Sequence, residues 1–108
     1  VYSSASDLLL WDRVLAGDEF LSADQKARLF RPIHDHYACG WVVKESGLDG
    51  RLYHTHSGSN QRFFSKMMRV PEDDLVIIAV GNVEATSAID DVLDQLFRLC
   101  RSLPYRDP

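Results

Sequence analysis

The segment Leu75-Val-Ile-Ile-Ala-Val-Gly81 limits the possible folds of this chain more than any other. It is the longest apolar run, and it falls far short of the ~20 residues that a membrane-crossing helix needs. A run that is apolar at nearly every position predicts a strand covered on both faces, and hence a place in the middle of a sheet. Pro71-Glu-Asp-Asp74 just before it predicts a turn, because Pro presets φ and the Asp side chains can bond local backbone.

The remaining segments supply partners for that strand. Ser4-Ala-Ser-Asp7 has the S-x-x-D form of a helix start, with a hydroxyl to accept an orphan amide hydrogen and a carboxylate near the positive end of the dipole. Leu8, Trp11 and Leu15 follow at helical spacing with Val14 beside them, and Gly17 suits the C-terminal cap. Ser22-Ala-Asp-Gln25 repeats the start signal for a short helix carrying Ala27, Leu29 and Phe30, which Pro32 stops. Tyr37 to Lys44 reads as a strand, Gly47-Leu-Asp-Gly50 as a turn, and Arg51 to His56 as the returning strand. Ser57-Gly-Ser-Asn60 reads as a polar break. A third strand is expected from Phe63 to Val70, with Phe63 and Phe64 on opposite faces. A last helix is expected with Thr86 or Ser87 as its cap and an apolar stripe of Ile89, Val92 or Leu93, Leu96, and Leu99 or Cys100. Trp11 and Trp41 are the expected core anchors. This order predicts an α+β fold: an antiparallel sheet of about four strands, with two N-terminal helices and a C-terminal helix packed on it.

Composition narrows the function. The chain has 108 residues, 45% hydrophobic and 26% charged, which fits a single globular unit and argues against disorder. The net charge is −4 and no Lys/Arg stripe occurs, so neither nucleic acid nor a membrane surface is an expected partner. Cys39 and Cys100 form no C-x-x-C pair and are too few for a disulfide framework; both are expected as small buried hydrophobes. The four histidines form two H-x-H pairs, His34-Asp35-His36 and His54-Thr55-His56. On a strand such a pair places both rings on one face, a spacing that can bind zinc. The first pair follows Pro32 in a loop, and nothing in the sequence forces the two pairs together. No metal or other cofactor is therefore expected, and a His-rich metal-binding domain stands only as an alternative.

Four segments carry a resemblance. They are Tyr2-Ser-Ser-Ala-Ser-Asp-Leu8 with Trp11; Tyr37-Ala-Cys-Gly-Trp41; His56-Ser-Gly58; and Phe63-x-Ser65 followed by Arg69-Val-Pro71 and Val76-Ile-Ile-Ala-Val-Gly-Asn82. In this order they resemble the C-terminal third of the serine beta-lactamase and penicillin-binding protein-like family, which includes class C beta-lactamases, D-Ala-D-Ala carboxypeptidases and related esterases. Each segment is short, so the specificity lies in their order and spacing over residues 2 to 100. Arg62 departs from the family's pattern, standing where a Gly usually precedes the Phe.

The resemblance implies a site. His56 takes the Lys/His place of the family's third motif and would engage a substrate carboxylate. Ser57 would offer its hydroxyl to the same group, and Gly58 would leave room for substrate along the strand. The amide N–H near Ser59 would be one of two oxyanion-hole donors, a kind of group whose loss costs about 10²–10³ in turnover. The family's Ser-x-x-Lys and Tyr-x-Asn motifs are absent; Ser22 and Lys26 have the wrong spacing. Both motifs precede this segment in the family's order. The implied reading is that residues 1–108 are one unit, the C-terminal part of a larger beta-lactamase-like domain. That domain would be a serine hydrolase acting on a small-molecule amide or ester through an acyl-enzyme, and the segment alone would be inactive. The alternative is a non-catalytic binding module or a dead homologue. The expected partner is the missing N-terminal part of the domain, or a second copy joined through the strand 75–81. A periplasmic or other extracytoplasmic location is what the family implies.

Overall fold

The computed structural model describes residues 2–47, 49–83 and 86–102. Helix α1 spans Ala5–Ala16, with the Asp7 amide donating to Ser4 Oγ at 3.1 Å. Gly17 caps its far end in an extended conformation, its N–H donating to the Arg13 carbonyl. Helix α2, Ala23–Leu29, starts with a reciprocal box: the Gln25 amide donates to Ser22 Oγ, and the Ser22 amide donates to Gln25 Oε1. Four strands follow: β1 (Val42–Glu45), β2 (Leu52–Asn60), β3 (Phe63–Val70) and β4 (Leu75–Gly81). Helix α3, Thr86–Cys100, follows the sheet. The sheet is antiparallel throughout and its strand order is the chain order, an α+β meander. Of the two expected caps, the Thr86 side chain lies outside the described residues and Ser87 lies within the helix.

Strand alternation and the helix contacts define three layers. Val43, Met67, Val76 and Ile78 face α1 and α2, where Leu15, Ala38, Trp41, Leu21, Leu29 and Phe30 complete one core. Phe64 and Val70 belong to the other face, which α3 covers with Leu93 and Phe97. The Tyr53 ring meets that of Phe97 at 6.0 Å on the same side.

Several expectations need correction. The first strand begins at Val42, not Tyr37: Tyr37 makes only isolated bridges to His34 and Val42, and Gly40 turns the chain at φ +78°. The expected break at Ser57–Asn60 is strand, because pairing with β3 continues to Asn60↔Phe63. The reversal falls instead on Gln61 and Arg62, both left-handed at φ +45° and +75°, the signature of a two-residue type I′ hairpin turn. Strand β4 is an edge strand, with no further strand among the described residues paired to its outer side. Its two apolar faces are explained by α1 on one side and α3 on the other, so coverage by helices replaces a central position. Trp41 is buried, but Trp11 is 42% exposed and packs edge-on against Phe20. In α3 the buried stripe is Leu93 and Phe97, while Val92, Leu96 and Leu99 face outward. Cys39 and Cys100 are free and exposed, not buried.

Candidate active site

The strand β1 is short, and that shapes the site. It pairs only with Leu52 through Thr55 of β2. The second half of β2, His56 to Asn60, continues beyond it, bonded to β3 and, among the described residues, to no strand on the other edge. The tripeptide His56-Ser-Gly58 and Ser59 all lie on this overhang, and all four are exposed. Alternation sends His56 and Gly58 toward the α1–α2 face and Ser57 and Ser59 toward the α3 face. The four residues thus share one strand but not one face.

Gly58 pairs with Ser65 across β3, and a Cβ at position 58 would stand 3.2 Å from Ser65 Oγ. Glycine keeps the strand surface low there. Ser57 lies opposite Lys66, whose ammonium is paired with Asp90 of α3. His56 has a close side-chain partner that sequence reading missed: the Tyr37 hydroxyl lies 3.0 Å from Nε2, and the rings meet edge-on. Spacing carries no signal for this pair, since 19 residues and a change of direction separate the two.

The root of β2 is anchored by a buried polar cluster. Asp12 of α1 is 1% exposed and accepts from Arg69 Nε at 2.8 Å. The Arg69 guanidinium lies over the rings of Phe30 and Trp41. His54 stacks on Phe30 with 4.2 Å between centroids. Burial, with a smaller contribution from the Arg69 charge, lowers the His54 pKa to about 4, so this imidazole is neutral at ordinary pH. A cavity of about 330 Å³ opens beside the cluster, lined also by Arg13, Lys26 and Asp74. Arg13 pairs with Asp12 and Asp74, and Lys26 with Asp18, so the charges there are mutually matched. The cluster ties α1 to β2 and β3, the strands of the candidate site. One signal for it exists in the sequence: Leu8, Asp12 and Leu15 fall on one helical face, so Asp12 interrupts an apolar stripe.

Among the described residues no group of three or more His, Cys, Asp or Glu side chains is placed to hold an ion. No helix among them is long and apolar enough to cross a membrane.

In sequence, the chain is distantly similar to a penicillin-binding protein. The relative is penicillin-binding protein 4* of Bacillus subtilis (strain 168), 28% identical over 99 residues, covering 86% of this chain and 22% of the relative. The chain therefore spans about a fifth of the length of the curated relative it matches. No family model and no solved structure matches it. The likeness supports a penicillin-binding or serine-hydrolase relationship and nothing finer.

Proposed function

We propose that this chain forms one wall of an acyl-transfer site in a serine hydrolase of the penicillin-binding or beta-lactamase kind. The observation that carries the reading is the overhang of β2. It presents His56-Ser-Gly58 and Ser59 along a strand edge that β1 leaves open. An extended amide or ester substrate can lie along such an edge and use its backbone groups. His56 would hold a substrate carboxylate, Ser57 would share that contact, and the Ser59 amide would face the developing oxyanion. The nucleophile and its base would come from residues outside these 108, which contain no Ser-x-x-Lys. The same absence favours a second reading, a non-catalytic binding module that keeps the wall without the chemistry. In either reading the unpaired edge of β4 would be met by the rest of the domain.

The test is intact mass spectrometry after incubation with a labelled penicillin or a fluorophosphonate, on this chain and on the longest natural protein that contains it. The hydrolase reading expects a covalent adduct on the longer protein and none on the chain. No adduct on either would sink it in favour of the binding module. An adduct on the chain alone would place the reactive residue within these 108 and overturn the assignment of the wall.

A further inference from the structure

We propose that Tyr37 is a positioning residue that fixes which nitrogen of His56 carries the proton, so that the imidazole offers an N–H, from Nδ1, to a bound oxygen. The proposal rests on the reading of His56 as the ligand-facing group of the site. A neutral imidazole has one donor and one acceptor nitrogen, and the partner of one decides the role of the other. The Tyr37 hydroxyl lies 3.0 Å from Nε2. A phenol is a stronger proton donor than a neutral imidazole N–H, so the hydroxyl donates and Nε2 accepts. The ring proton then resides on Nδ1, and His56 presents a donor to a carboxylate or carbonyl oxygen. The opposite tautomer would turn a lone pair toward that oxygen and repel it.

The backbone around Tyr37 is built to hold the phenol in place. Asp35 and His36 are both left-handed, at φ +42° and +66°, a conformation that side chains disfavour. They close a tight turn in which the Tyr37 amide donates to the His34 carbonyl at 2.6 Å and the Ile33 amide donates to the Tyr37 carbonyl at 2.8 Å. On the other side Ala38 is buried and its amide donates to the Trp41 carbonyl. The ring is thus carried by a short segment fixed at both ends, and it meets His56 edge-on at 62°.

The measurement is a long-range 1H–15N correlation spectrum of the 108-residue chain labelled with 15N-histidine, at a pH of about 8.5, well above ordinary imidazole titration. His56→Gln assigns the resonance. The expected result is the Nδ1–H form for His56 in the wild type. In Tyr37→Phe the expected result is a shift to the Nε2–H form that free histidine prefers, with the backbone fingerprint unchanged. An Nε2–H His56 in the wild type overturns the proposal, and so does an unchanged tautomer in a folded Tyr37→Phe. Should that variant disturb the fold, the wild-type spectrum alone decides. The spectrum does not depend on acylation: an Nδ1–H His56 in a protein that takes no acyl label would sink the hydrolase reading and leave the tautomer assignment standing.

Discussion

At the level of single residues, the fold depends on keeping His54 uncharged. Its pKa is about 4 when folded against an ordinary 6.5, lowered by burial and by Arg69. The unfolded chain takes up a proton below pH 6.5 and the folded chain resists until about 4. Stability is therefore fully present above pH 6.5 and falls as pH drops through about 4, by on the order of 3 kcal/mol. Urea midpoints measured from pH 7.5 to 4 should show that loss, and His54→Gln should flatten it. Asp12 carries a larger share. Replacing it by Ala leaves Arg69 buried without its carboxylate, and about 3–5 kcal/mol is expected to be lost. Total stabilities of domains run about 5–15 kcal/mol, so denaturant titration should show Asp12→Ala with a strongly lowered midpoint. A third residue offers the opposite effect. Arg62 sits at φ +75°, where an L side chain costs roughly 1–2 kcal/mol. Arg62→Gly should stabilise by about 1 kcal/mol and raise the melting temperature by about 5 °C; an unchanged or lower value in a thermal melt would refute the strain.

At the level of elements, strand β4 presents an apolar edge with neither Pro nor charge to discourage another strand. Val80 is 46% exposed on it. Val80→Lys should leave thermal stability within about 0.5 kcal/mol while lowering association in sedimentation velocity. Equal association in both proteins would exclude this edge as the contact. The sequence was a good guide to β4 as a strand and to its two apolar faces, because both follow from composition along seven residues. It misplaced the strand within the sheet, since two apolar faces report the layers packed above and below it, here α1 and α3, and say nothing of its edges. The helix starts at Ser4 and Ser22 were readable because a cap is a local device. The extent of β2 was not, because Ser57-Gly-Ser-Asn60 has turn-like composition and only pairing with β3 makes it extended. The stripe of α3 was readable only to within a step, as Phe97 and Leu93 are buried where Leu96 and Val92 were equally possible by spacing.

At the level of the whole molecule, three layers bring together segments whose association no local pattern reveals. Asp12 and Arg69 are 57 residues apart, and Tyr37 and His56 are 19 apart. His56-Ser-Gly58 singled out the candidate strand in the sequence, while its surroundings had to come from the fold. A further consequence follows from the turn at Gln61 and Arg62. Two residues there give the hairpin an even parity. Because strand side chains alternate, slipping the register by a single position would exchange the two faces of β2. The imidazole of position 56 would pass under α3, and the two serines would move to the side of Tyr37. An insertion of one residue at the tip must therefore be absorbed as a bulge or invert the strand's output, whereas an insertion of two preserves it. The hairpin tip thus bears, through the register it sets, on which chemistry the strand shows to which side.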